Sequence, residues 1–231
     1  MRSAKAVFVK QMRDILKNRE ILIQYILFPI MALIMTEMVA KRNEDIPNNM
    51  FVIMFTAMFV GMTPLMTISS AIAEDRERKS LRFLVMAGVK PHEYVMGVGG
   101  FILIVSTIIL VFFGLIGGFV GMALIKLVLI GMLGAIAAIL LGAAIGISSQ
   151  NQQKATSLAT PASLIFAFVP MLAQFDDTIA RVAHYLFTWQ IGEIINDVSL
   201  SIVQPLLIIV ANAVVFAALF VFAYRKTGLK G

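Results

Sequence analysis

The chain has 231 residues, 60% apolar and 14% charged, with a mean hydropathy of +0.92, whereas soluble domains run at roughly 45–50% apolar and about 25% charged. That composition excludes a water-soluble fold. Cysteine is absent, which removes disulfides, thiol nucleophiles and cysteine-ligated metals, and the net charge of +6 belongs with membrane topology rather than with nucleic acid.

Residues 1–20 hold six Lys/Arg and no long apolar run. Phe8, Met12, Ile15 and Leu16 fall at i, i+4, i+7 and i+8, with Lys5, Lys10, Arg13, Asp14 and Lys17 on other faces. This spacing predicts an amphipathic helix at the membrane interface. The apolar stretch that follows is too long for a cleaved secretory signal, so the N-terminus is expected to be retained.

Six apolar segments follow, at about 21–40, 50–73, 94–117, 121–147, 158–175 and 200–223. Each is long enough, or nearly so, to cross a ~30 Å hydrocarbon layer as a helix. The expected fold is therefore an all-α integral membrane protein with six transmembrane helices in a single domain, 1–231. Its parts are an interfacial helix (1–20), spans one and two (21–73), an inner loop (74–93), spans three and four (94–147), a second inner loop (148–157), span five (158–175), an outer loop (176–199), and span six with the tail (200–231). Span five is the shortest and holds Pro161 and Pro170, which predicts a kink.

Six spans place both termini on one side. With them fall the six basic residues of 1–20, then Arg76, Arg78, Lys79, Arg82, Lys90, Lys154, Arg225, Lys226 and Lys230, fifteen in all. The other side has Lys41, Arg42 and Arg181, with Lys126 just inside span four. The positive-inside rule then puts both termini in the cytoplasm of a multi-pass cell-membrane protein.

The spans are nearly free of charge, unlike those of an ion- or proton-coupled carrier. Glu37 and Lys126 sit near outer ends at similar depth, either as a pair or, preferably, as two separately hydrated side chains. Gly142-x-x-x-Gly146 and Gly117-x-x-x-Gly121, with Gly131, Gly134 and Ala138, have helix-contact spacing, read as packing within the chain or, more sharply, a dimer interface. The outer loop DDTIARVAHYLFTWQIGEIINDVS is half apolar and predicts short helices dipping into the interface, with Trp189 as an anchor.

The inner loop EDRERKSLRFLVMAGVKPHE opens on alternating charge. Ser80 is placed as an N-cap, Leu81, Leu84 and Val85 at i, i+3 and i+4, and Gly88 and Pro91 as stops. It reads as a short amphipathic helix, either lying on the surface or acting as a docking knob. EDRER at 74–78 resembles the glutamate-rich motif of intramembrane abortive-infection proteases, but Asp75 replaces the second Glu and no His lies in a span, His92 and His184 both being in loops. No catalytic residue or metal ligand is assigned. There is no G-x-x-x-x-G-K-[ST] loop, so ATP-driven transport would need its motor on another polypeptide. Spans two and five supply hydroxyls and prolines in an apolar setting: Thr63, Pro64, Thr67, Pro161, Ser163 and Pro170. Their facing surfaces are the expected lining of a substrate path, where a helix bends at proline and Ser or Thr satisfies the freed carbonyls.

Four stretches covering nearly the whole chain resemble the type-2 permeases of ATP-binding-cassette exporters, the ABC-2 family. FVKQMRDILKNREILIQYILFPIMALIM looks like the family's connecting helix and first span, with Pro29. IAEDRERKSLRFLVMAGVKPHEYVMG follows its charged run, Ser/Thr-Leu pair, hydrophobic helix, proline and glycine-opened third span. It departs at Ser80, where threonine is common, and at Lys79, where glycine is usual. IGISSQNQQKATSLATPASLIFAFVP is similar to the polar loop and proline-bearing fifth span, and the semi-apolar outer loop precedes the last span.

The resemblance implies that residues 80–88 form a cytoplasmic coupling helix seated in a cleft of an ATPase subunit. Glu74, Arg76, Arg78, Ser80, Leu81, Leu84, Val85 and Gly88 would make that contact. It further implies a prokaryotic half-transporter: two such permeases, identical or different, around one path in the lipid bilayer, driven by two ATPase chains that bind ATP and Mg while this chain binds no cofactor. Nucleic acid is not an expected partner. The apolar interior suits a hydrophobic or amphipathic cargo, such as a peptide or bacteriocin, a drug or a lipid-like molecule. The alternatives are a non-transporting anchor or sensor that recruits a cytoplasmic partner through 74–93, or a secondary carrier, for which Pro64 and Pro205 interrupt spans but no inverted repeat is visible.

Overall fold

A computed structural model describes residues 2–80, 91–196 and 202–227. These form α1 (Arg2–Lys17), α2 (Arg19–Met38), α3 (Met50–Glu77), α4 (Pro91–Ile116), α5 (Met122–Ser148), α6 (Gln152–Leu172), α7 (Asp177–Ala183), α8 (Phe187–Asn196) and α9 (Val203–Thr227), with a short 3-10 turn at Ala40–Arg42. No strand occurs among the described residues. Helices α2, α3, α4, α5, α6 and α9 are long and apolar enough to cross a membrane. Only closed hydrogen bonding lets a backbone span lipid, which is why the apolar runs are all helical.

Helix α3 is the axis of the bundle. In its most apolar stretch 83% of residues are buried, against 11% in α9, so α3 is surrounded by protein while α9 lies at the periphery. Small residues allow this. A Cβ at Gly142 of α5 would run into the Leu65 carbonyl oxygen of α3, and one at Gly146 would come within 2.8 Å of the Ser69 oxygen. The Gly142-x-x-x-Gly146 stripe thus packs α5 onto α3 inside the chain. Gly131 takes Leu110 of α4, and Gly134 takes Ile191 of α8 and Val60 of α3. Aromatic side chains fill the opposite flank of α3, where Phe59 meets Tyr25, Phe28 and Phe113 with ring centroids 5.8, 6.5 and 5.7 Å away.

The second glycine pair divides: Gly117 packs on Val52 of α3 and on Phe119, whereas Gly121 belongs to a turn. Gly118 and Gly121 have φ of +70° and +58°, and no neighbouring atom lies within 4 Å of a Cβ built on Gly121. They close the hairpin between α4 and α5, where residues with a Cβ are strained.

Several boundaries shift from those expected. Span five begins at Gln152, not 158, because Asn151 caps the helix, its side chain accepting from the Lys154 N–H at 2.9 Å. The inner loop 148–157 shrinks to three residues. The run 74–77 is the last turn of α3, span three starts at Pro91, and the final helix runs from Val203 to Thr227. The outer loop forms two short helices, α7 and α8, as its composition predicts. The face of α8 carrying Phe187, Ile191, Ile194 and Ile195 is buried in the bundle rather than turned to lipid.

Helix α1 also turns its apolar face to protein. Val7 and Gln11 are buried, and Phe8 packs edge-on against Phe101 of α4 at 5.4 Å. The side chains of Ile15 and Leu16 lie outside what is described. Glu37 is paired with Lys41 one turn on, at 2.5 Å and exposed.

Candidate functional site

The charged run at the end of α3 is where the chain's inter-helix polar contacts gather. Successive residues of one helical turn point in different directions, so Asp75, Arg76 and Glu77 reach different neighbours. Asp75 is buried; its Oδ1 accepts from the Lys10 ammonium of α1 and its Oδ2 from the Tyr94 hydroxyl of α4 at 2.9 Å. Lys10 also pairs with Asp14 at 3.2 Å. Partial burial pulls the Lys10 pKa down, but the bonds and charges of Asp75 and Asp14 together carry it above its ordinary value.

Arg76 donates to the Ile147 carbonyl, and to the Ser149 carbonyl at 3.0 Å, at the C-terminal end of α5. Glu77 accepts the Gln152 backbone N–H at 3.0 Å, at the N-terminal end of α6. A cation at a helix C-terminus and an anion at an N-terminus both suit the helix dipoles and satisfy backbone groups left open there. Gln152 adds a bond from its side-chain amide to Ser70 of α3 at 2.8 Å. Three adjacent residues therefore bind α3 to α1, α4, α5 and α6 at one end of the bundle.

Of the residues expected to couple to a partner, Arg76 is directed inward to this clamp, while Glu74 and Arg78 pair one turn apart at 2.8 Å, with Arg78 exposed. Lys79 ends α3 with φ of +58°, its N–H returning to the Arg76 carbonyl at 2.9 Å. That left-handed conformation is where glycine would carry no strain. Ser80 is half-buried just beyond α3. Leu81, Leu84, Val85 and Gly88 lie outside the described residues. Lys10, Asp75, Glu77, Tyr94 and Gln152 were not expected from sequence. The ion pair joins positions 65 apart, and no local spacing signals it.

Helices α3 and α6 do face each other, as the path expectation requires, but in close contact. A Cβ at Gly61 would sit 2.9 Å from the Phe166 carbonyl oxygen. Thr63, Pro64, Thr67 and Ser163 are buried, and Pro161 is exposed. Thr67 donates to Thr63 O and Ser163 to Thr160 O, both at 2.8 Å. These are not the Val60 and Ser157 carbonyls that Pro64 and Pro161 free, so the expected repair of proline-freed carbonyls is not what these hydroxyls do. The Thr63 hydroxyl is buried without a hydrogen bond. Pro170, also buried, lines a cavity at the other end of the bundle, and Trp189 lines the same cavity instead of serving simply as a surface anchor.

Compared with known proteins, the chain matches the family model described as ABC-2 family transporter protein over residues 4–225. No curated protein matches it.

Proposed function

Because the chain belongs to the ABC-2 family of transporter proteins, and so is a permease subunit of an ABC transporter, we propose that it exports a hydrophobic or amphipathic cargo. Both termini face the cytoplasm, and a separate ATP-binding-cassette ATPase binds ATP and Mg and seats the segment after Glu77. A second permease subunit completes the path. The cargo is amphipathic because the spans are almost without charge and offer nothing to conduct small ions.

The observation that carries this reading is the clamp at the end of α3. A load applied to residues 80–88 enters α3 at Glu77, and the bonds from Asp75, Arg76 and Glu77 pass it at once to α1, α4, α5 and α6. Ties to four helices at this point suit an element that carries motion from the following segment into the bundle, besides holding the helices together.

The test is ATP-dependent export from proteoliposomes that hold this chain with the ATPase that co-purifies with it. Leu84→Asp places a charge on the apolar side of the segment after α3 and should leave the chain inserted while removing ATPase co-purification or uncoupling hydrolysis from transport. Unchanged ATPase association together with unchanged transport in that variant would overturn the docking role of 80–88.

A further inference from the structure

At the end of the bundle away from the termini, α8 has two working faces. Phe187, Ile191 and Ile194 anchor it in the core. Trp189, Gly192, Glu193 and Asn196, at i, i+3, i+4 and i+7, line a cavity of about 340 Å³ closed by the start of α3 and the end of α6. That volume is in the range of sites for small organic molecules.

The lining is chemically one-sided. Glu193 is the charged side chain among the described lining residues, and it makes no hydrogen bond or ion pair with any described residue. A half-buried carboxylate beside apolar groups and without a counter-charge favours an incoming cation and disfavours an anion. Trp189 lies one turn away on the same face, and an indole ring attracts an ammonium through its quadrupole. Met50, Met54 and Met171 form the apolar side, with flexible, polarisable side chains that adapt to varied shapes. The Thr188 hydroxyl, fully buried at the cavity wall, has no hydrogen-bond partner. A single carboxylate without further acidic or histidine ligands is poor at holding a metal ion but sufficient for one ammonium.

We propose that this cavity is a binding site for a monovalent organic cation with an apolar body. The ammonium sits between Glu193 and Trp189, and the apolar part lies over the methionines. The cargo class proposed for the exporter is thereby narrowed to cationic amphiphiles, and in that respect the inference rests on the exporter reading; binding itself stands on the cavity alone.

Trp189 is the only tryptophan in the chain, so its fluorescence reports this site directly. The purified full chain in nanodiscs is titrated with benzyltrimethylammonium and, separately, with phenylmethanesulfonate, an anion of similar size, subtracting empty nanodiscs. A saturable change with the cation is expected, with the anion at least tenfold weaker. Glu193→Gln should weaken cation binding at least tenfold, and Glu193→Asp should keep most of it. Equal responses to the two probes, or cation binding unchanged by Glu193→Gln, would overturn the site. Should the Gln variant not fold, the comparison of the two probes on the native chain and on Glu193→Asp still decides. Cation binding without ATP-driven export by the assembled complex would refute the exporter reading and leave the site standing. Export of other amphiphiles without cation binding would do the reverse.

Discussion

Asp75 receives Lys10 on one oxygen and Tyr94 on the other, so each oxygen ties a different helix to α3. Replacing it with asparagine leaves the half-buried Lys10 ammonium with Asp14 as its remaining charged partner, and removing one partner of a buried contact costs more than the contact is worth. Lys10 is 38% exposed, so solvent screens part of the loss and a cost of about 1–2 kcal/mol is expected, below the full buried-pair figure. Hydrogen exchange across α1 should speed up in Asp75→Asn, while α5 and α6, held by Arg76 and Glu77, should change less. The double variant Lys10→Met with Asp75→Asn should lose less than the sum of the singles. Equal exchange in α1 with and without the substitution would mean that α1 is held by its packed face, Val7, Phe8 and Gln11, and not by the ion pair. The same bond has a pH signature. The Lys10 pKa is raised in the folded chain, so its contribution is complete below the ordinary lysine value of 10.5 and is lost as pH climbs through the folded value. Loosening of α1 is therefore expected in alkali and not in mild acid.

At the scale of elements, the contact of α5 with α3 depends on missing side chains. In lipid, apolar residues gain little by leaving the bilayer for a helix partner, so association comes from close packing. Gly142 and Gly146 bring the α5 backbone against the carbonyls of Leu65 and Ser69, atoms that cannot rotate away as a side chain can. Gly142→Val should destabilise the purified chain by roughly 1–3 kcal/mol or more, the range for overpacking, seen as a lower melting temperature in detergent. Gly100, with nothing within 4 Å of a built Cβ, is the control. Gly100→Ala should be neutral or mildly stabilising, since alanine is the better helix former. Equal melting of the two variants would contradict the close α3–α5 contact.

The whole molecule is a bundle around α3 with a polar clamp at one end and a cavity at the other, and the proposed export reading depends on which end faces the cytoplasm. The bias of fifteen basic residues to three predicts that the end carrying the clamp faces the cytoplasm. The chain has no native cysteine, so single cysteines give a clean readout. Placed at the exposed positions Asn48 and Asp177, a cysteine should react with an impermeant maleimide added to intact cells, and one at the exposed Lys154 should not. Labelling at Lys154 with protection at Asn48 would invert the molecule and put the cavity on the inside.

Six long apolar helices and their order are legible in the sequence because crossing lipid demands long apolar runs and closed backbone hydrogen bonding, both local properties. The short helices before the last span were legible from the half-apolar composition of that stretch. Which helix lies at the centre was not. Lipid and protein interior are equally apolar, so hydropathy does not separate buried α3 from peripheral α9. Nor did spacing distinguish the glycines that pack, Gly142 and Gly146, from Gly121, which turns the chain. The charged run 74–78 announced a polar cluster, but only folding brings Lys10, Tyr94, Ser149 and Gln152 to it from four other helices and their caps. The cavity is likewise tertiary: Met50, Pro170 and Glu193 come from three distant segments, and a lone carboxylate on α8 acquires chemical meaning only from the walls that enclose it.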